Sequence, residues 1–400
     1  MNSDFINEDL IFDFFEKYND TIIIPEPSPL LSIQTLAICE KLQRILIVTG
    51  KKSHLAGGAL KKLNIIMDDV DCNIELCDGT PPEPDINDIK KIKNVIDNIF
   101  PDFVIAIGGG SVMDAAKAAY LWSQSGGDIR EYFGLNAFSE KNPGRKLKKV
   151  LCIPTTAGTG SEVTPYSNIV DREAGVKKLI ADKEIIPSYA LLDPSLTLTC
   201  NREITVNCAL DALCHSIEAY LQDSPEDAIY EELAFTAIGL ICKSLPEVIS
   251  NPESLIDRRN LLYAACLGGM LISRKPTGIP HLLSYSLYGK IAHGMAVALL
   301  LPSAWRFYCE NRKVLEKTLR LKVYFSGNTV EEVIFSYKAF LRKCGIYKNI
   351  SAFVDDKALE NAVNLASENK FKLRKLPREI EEARAEEQLC SIIQNAKTEF

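Results

Sequence analysis

The chain has 400 residues and a formal net charge of −7, with its basic side chains scattered among acids, so nucleic acid and anionic membranes are poor partners for it. A hydrophobic share of 46% beside a charged share of 25% is that of a globular protein able to bury a core, and the length exceeds one ordinary core, so two domains are expected. Residues Met1 to Phe5 lack the basic start of a signal peptide, the longest uninterrupted apolar run is only Met295 to Pro302, and the 12 cysteines show neither CxxC nor regular spacing, which together suggest a cytoplasmic protein with reduced thiols.

In chain order, short β-branched runs at Thr21 to Ile24, Arg44 to Thr49, Asn73 to Leu76, Phe103 to Ile107 and Lys149 to Ile153 alternate with helix-like stretches such as Ser32 to Leu42 and Ile86 to Ile99. That alternation predicts a Rossmann-like α/β domain on a parallel sheet. After Leu191-Leu192-Asp193-Pro194 the pattern changes to long amphipathic helices without convincing strands. The expected division is an α/β domain over 1–197 and an all-α domain over 198–400.

Three loops of the first half carry chemistry. The strand ending at Ile107 runs into Gly108, Gly109, Gly110 and Ser111, followed by Asp114 in the next helix. Glycines between strand and helix let backbone N–H groups approach a pyrophosphate at the helix N-terminus. Pro154 to Thr164 forms a second such loop, in which the hydroxyls of Thr155, Thr156 and Thr159 suit ribose and phosphate oxygens. Two loops at the carboxyl ends of parallel strands favour a nucleotide between them. The third loop, Gly50-Lys51-Lys52-Ser53, has lysines where a strongly NAD-selective site carries an acid, so NADP(H) is expected to be tolerated or preferred, with Gly50 and Ser53 as contacts. A solvated lysine turn is the competing reading.

In the second half, Ala209 to Tyr220 reads as a helix with Asp211 and His215 four residues apart, hence on one face. The chain has 4 histidines, and His281 and His293 follow in apolar, Gly- and Pro-punctuated segments. One carboxylate and three imidazoles suit Fe(II), with Zn(II) as the alternative, and a set without thiolate fits a catalytic ion.

These stretches resemble the iron-containing (group III) alcohol dehydrogenases. Gly108 to Lys117 is similar to the family's GGGSxxDxAK motif, Pro154 to Thr164 to PTTAGTGSE, and Asp211 to Ala219 to DALxHAxEA, within a resemblance running from about Leu30 to Trp305. It implies an N-terminal Rossmann-like domain, an all-helical C-terminal domain, and metal and nicotinamide meeting between them. It further implies Asp211, His215, His281 and His293 as ligands, Lys178 on the cofactor ribose, and a dimer or a multiple of one. The implied reaction is hydride transfer between NAD(P)(H) and a small alcohol or aldehyde, with the metal polarising the substrate oxygen.

Two departures bear on the site. Many members carry a histidine four residues after the third ligand; here Tyr285 stands there, and it joins His293 as a candidate catalytic residue. The segment from His281 to His293 is also shorter than the family's usual one. Glu218 is a candidate support for a ligand, and Leu282, Leu283, Leu287 and Ile291 suggest an apolar pocket for an uncharged aldehyde. Three alternatives are a dehydroquinate synthase-like lyase, which needs cations for a phosphate and a carboxylate, a zinc-dependent glycerol dehydrogenase-like enzyme, and a nucleotide sensor without activity. Arg258, Arg259, Arg274, Lys275 and Lys290 are the cations available to the lyase.

Overall fold

The computed structural model describes residues 8–399 apart from 19, 26–29, 53, 54, 56, 57, 69, 148, 149 and 223–226. Six strands form one sheet: β1 (Ile22–Ile24), β2 (Arg44–Gly50), β3 (Asn73–Thr80), β4 (Phe103–Gly108), β6 (Val150–Pro154) and β9 (Tyr189–Leu191). Their order is β1-β9-β6-β4-β2-β3 and every pairing is parallel, as the alternating pattern predicts.

The central strand β4 is buried along its whole length because both faces are covered. Val104 and Ala106 face a core shared with α4 (Ile86–Ile99) and α5 (Gly110–Ser125). Phe103, Ile105 and Ile107 face the opposite core, shared with α2 (Leu31–Cys39) and α3 (Ala59–Met67). Helix α4 has the limits the periodicity predicts: Ile89, Ile92 and Ile96 are its buried stripe, and the Asp85 carboxylate caps it by accepting from the amides of Asn87 (2.8 Å) and Asp88 (3.1 Å).

Three strands that the sequence reading leaves unassigned build a second, small sheet: β5 (Gly134–Leu135), β7 (Tyr166–Asp171) and β8 (Val176–Ala181), in the order β5-β8-β7. β7 and β8 are an antiparallel hairpin whose turn ends on Gly175 at φ +65°, a left-handed conformation that glycine adopts without strain. A short helix, α6 (Ala137–Lys141), lies between β5 and β6.

Beyond Leu191 the described elements are helices: α7 (Arg202–Leu221), α8 (Asp227–Ser250), α9 (Leu255–Arg274), α10 (Ile279–Ser284), α11 (His293–Tyr308), α12 (Arg312–Arg320), α13 (Val330–Lys343), α14 (Asp356–Ser367), α15 (Lys370–Leu373) and α16 (Ala385–Thr398). α7 opens where the Asn201 side chain accepts from the amide of Ile204 (2.8 Å) and is buried from Ala209 to Leu221, packed against α8, α9 and α11. Helix α8 is, by length and composition, apolar enough over Ala228–Ser250 to cross a bilayer, which the search for uninterrupted apolar runs misses because its few charges are spread out; here it lies against α7 and α9. The expected division near residue 198 falls between β9 and α7, but α1 (Glu8–Lys17) packs with the helical half, where the Phe15 and Tyr263 rings meet at 5.4 Å.

The two halves approach closely at a pair of glycines. Gly160, at φ +62°, lies so near α9 that a Cβ on Gly269 would sit 2.5 Å from the Gly160 carbonyl oxygen. The adjacent Gly268 has nothing nearer to its Cβ position than 3.5 Å. Gly269→Ala is therefore expected to cost about 1–3 kcal/mol by overpacking. Gly268→Ala, in a helix interior with room for the methyl, is expected to gain up to about 1 kcal/mol. Thermal unfolding of the two variants checks this, and shifts of the same sign would defeat it.

Candidate metal and cofactor site

The helical packing that buries α7 also assembles the polar cluster. Asp211 and His215 project from one face of α7, His281 comes from α10, and His293 is the first residue of α11. The three Nε2 atoms surround one carboxylate oxygen: Asp211 Oδ1 lies 3.6 Å from His215, 3.4 Å from His281 and 3.5 Å from His293. Ligand atoms of Asp211, His281 and His293 all lie within 4.8 Å of one another. Asp211, His215 and His281 are buried, whereas the His293 side chain is 29% exposed and so gives the cluster its open side.

The Nδ1 atoms of His281 and His293 are held from behind. His281 Nδ1 meets Glu218 Oε2, and Glu218 Oε1 accepts from the amide of Gly278 (2.9 Å), so Glu218 supports a ligand rather than forming a surface ion pair. Ser284 Oγ donates its only proton to the carbonyl of His281 (2.8 Å), so at its 3.2 Å contact with His293 Nδ1 the serine oxygen must accept. His293 then carries its proton on Nδ1 and offers the Nε2 lone pair to the cluster. Burial, against the pull of Asp211, lowers the pKa of His215 to about 4 and that of His293 to about 3. For His281 burial acts in the same direction, but the carboxylates of Glu218 and Asp211 outweigh it and raise the ring to about 9. Burial would raise Asp211 as well, yet the three imidazoles hold its carboxyl well below the usual range. The lone pairs of His215 and His293, joined by that of His281 once it gives up its proton to a bound ion, lie beside an ionised carboxylate, a set that fits a divalent cation.

The glycine-rich loops meet through their side-chain gaps. A Cβ on Gly109 would lie 2.9 Å from Thr156 Oγ1, and one on Gly110 2.5 Å from Thr159 Cγ2. Thr155 is tied to Gly108 by its amide (3.0 Å). Asp114 lies beneath the loops: its carboxylate accepts from Ser161 Oγ (2.5 Å) and from the amide of Asn168 (2.9 Å). Buried Lys117 donates to the hydroxyl (2.7 Å) and the carbonyl (3.0 Å) of Ser161. Asp114, expected as a cofactor contact, thus has one oxygen engaged by the second loop and the other by β7, and Lys117 and Ser161, which the sequence reading does not single out, complete that brace. Ser111 Oγ accepts from the amide of Glu83 (3.1 Å). Gly50 closes β2, opposite Thr80 of β3; Ser53 lies outside the described residues.

Two sequence expectations change. In β8 the side chains alternate, and Lys178 shares its face with Ile180 and, across the ladder, Ile169, both part of the core under α5. It is Lys177 that faces the site: its ammonium pairs with Glu83 (2.9 Å) and is near enough to depress the His293 pKa, and its amide donates to the Tyr285 carbonyl (3.3 Å). Leu282, Leu283, Leu287 and Ile291 are buried in the helical core.

The cations of the lyase alternative are engaged elsewhere. Arg258 donates to the Thr205 hydroxyl and to the carbonyls of Cys200 and Pro252, and Arg259 lies over the Tyr263 ring. Arg274 pairs with Asp20, Lys275 bonds the Gln222 carbonyl, and Lys290 pairs with Asp355.

Glu162, inside the second loop, supplies a pH signature. Burial raises its pKa to about 7 against the pull of its own backbone amide and of Lys117, and its Oε1 has no hydrogen-bond partner among the described residues. The folded state therefore prefers the protonated acid, so stability present below about pH 4.5 is lost as pH rises through about 7. The loss is on the order of 3 kcal/mol. Glu162→Gln is expected to abolish it, with a melting temperature above the parent's at pH 8 and near it at pH 4.5; an equal difference at both values would contradict this.

Comparison with known proteins accords with this geometry. The family profile described as iron-containing alcohol dehydrogenase matches residues 27–194, and that described as Fe-containing alcohol dehydrogenase family, C-terminal, matches residues 205–396. An NADPH-dependent butanol dehydrogenase of Clostridium saccharobutylicum is 29% identical over 348 residues, covering 82% of this chain and 87% of the relative. An iron-containing alcohol dehydrogenase structure from Thermotoga maritima superposes with a TM-score of 0.79 at 30% identity, covering 96% of this chain and 99% of the other. One from Thermococcus thioreducens superposes at 0.83 with 25% identity over 94% of this chain and 99% of its own. Matched over both halves, the chain belongs to the iron-containing alcohol dehydrogenase family and is a metal-dependent alcohol dehydrogenase.

Proposed function

We propose that the chain is an Fe(II)-dependent, NADP(H)-preferring enzyme that reduces small aldehydes to alcohols. The observation that carries the reading is the convergence of three imidazole Nε2 atoms on Asp211 Oδ1 at 3.4–3.6 Å. Asp211, His215, His281 and His293 would hold the ion, and the loops around Gly108–Ser111 and Thr155–Thr159 would hold the nucleotide. Once bound, these groups supply a Lewis acid for the substrate oxygen and a hydride for the carbon beside it. The chain's own part is orientation. Glu218 and Ser284 fix the ring orientations of His281 and His293, the Asp114–Ser161–Lys117 brace fixes the distance between the two loops, and Lys177 brings β8 against Tyr285. The preference for NADP(H) is supported by exposed Lys51 and Lys52, which follow β2 where an acid would repel a 2′-phosphate, and by the NADPH-dependent relative.

The test is cofactor consumption with butanal after metal removal and anaerobic reloading with Fe(II) or Zn(II), using NADPH and NADH in parallel. Turnover restored by Fe(II) and faster with NADPH is the expected result. Restoration by Zn(II) alone, or faster turnover with NADH, would overturn the corresponding part.

A further inference from the structure

Lys372 is half-buried. It lies on α15, yet its ammonium reaches back to the site: it donates to Thr277 Oγ1 (2.9 Å), contacts Tyr285 Oη (3.4 Å) and lies 4.9 Å from the centroid of the Tyr285 ring. No carboxylate among the described residues pairs with it. Thr277 opens the turn into α10, and Tyr285 follows His281 by four residues, so both flank the helix that delivers a histidine to the cluster.

Both hydroxyls accept from the ammonium, so each has its own proton left to donate. No acceptor among the described residues receives either proton. Lys372, Thr277 and Tyr285 thus gather N–H and O–H donors around a single cation with no acceptor and no counter-charge. A partly buried cation in this state is stabilised by an anion that also takes the hydroxyl protons. One ammonium matches one negative charge: a carboxylate would be neutralised, whereas a phosphate dianion would keep an uncompensated charge.

Resting on the proposed aldehyde chemistry, we propose that Lys372, Thr277 and Tyr285 form a carboxylate-binding subsite, and that the preferred substrates are short aldehydes ending in a carboxylate. Lys372 is then a specificity-determining residue, and Tyr285 orients the substrate through its hydroxyl. This replaces the uncharged aldehyde suggested by the leucines, which are core residues.

The test compares 4-oxobutanoate and 5-oxopentanoate with butanal on the metal-loaded enzyme. The better oxo acid is expected to exceed butanal in kcat/KM by at least about tenfold, the factor a charge-assisted hydrogen bond supplies. In Lys372→Met the ratio should fall to about one, and in Lys372→Arg it should be largely kept. A binding readout independent of turnover is calorimetry of the metal- and NADP-loaded enzyme with succinate and butanoate. Succinate should bind about tenfold tighter, and the difference should vanish in Lys372→Met. Butanal turnover without preference for either oxo acid would overturn the subsite and leave the reductase reading intact. An unchanged ratio in Lys372→Met would do the same. No turnover on any of the three aldehydes would count against the reductase reading instead, and calorimetry would then decide the subsite alone.

Discussion

His281→Ala is expected to abolish both metal retention and turnover. His281 is the imidazole closest to Asp211 Oδ1 and the one that Glu218 supports, so its removal opens the cluster and leaves Glu218 facing a void. Losing the Lewis acid forfeits several kcal/mol of transition-state stabilisation, a fall in kcat of roughly a thousandfold or more. Metal content by mass spectrometry and NADPH consumption are the two readouts, and a variant with full metal and near-native turnover would remove His281 from the ligand set. Glu218→Gln should be milder, at about 10–100-fold in metal affinity or activity, because it disturbs only the ring's support.

Gly294→Ala should be nearly as damaging for a different reason. A Cβ at Gly294 would lie 1.8 Å from the Asn207 carbonyl oxygen, backbone that cannot swing aside. Here α11 meets α7 one turn before Asp211, and that contact sets His293 at 3.5 Å from the carboxylate. The methyl must push the helices apart, costing about 3 kcal/mol or more. For a helical half of this size the melting temperature should drop by roughly 6–12 °C. The displacement also carries His293 away, so activity should fall even in the fraction that remains folded. Unchanged melting and activity would mean that the two helices can separate at that point without penalty.

Much of this was legible in the residues. The order of parallel strands and helices in the first half follows from hydrophobic runs too continuous for a one-sided sheet, and α4 was legible to the residue through its isoleucine stripe and aspartate caps. The four residues of the cluster were legible because histidine is scarce in this chain and each instance in the second half sits among apolar neighbours. The β7–β8 hairpin was hidden because Asn168, Lys177 and Lys178 interrupt the apolar pattern, and β9 because it is three residues long. The exchange of Lys178 for Lys177 reflects strand parity, which a run of two lysines does not reveal until the ladder partners are known. The bracing role of Asp114 and the reach of Lys372 to Tyr285 depend on contacts 47 and 87 residues apart in sequence, beyond any local pattern.

The placement of α1 affects how the protein is made. Its aromatic side chains dock on Tyr263, and β1, which follows it, pairs only with β9 among the described strands. When synthesis has passed β3, two elements lack partners: a helix whose docking site is not yet made and a strand whose neighbour lies 167 residues downstream (Ile22 to Tyr189). Synthesis in chain order therefore cannot complete the sheet before residue 191 or seat α1 before α9, so α1 and β1 wait for elements made long after them.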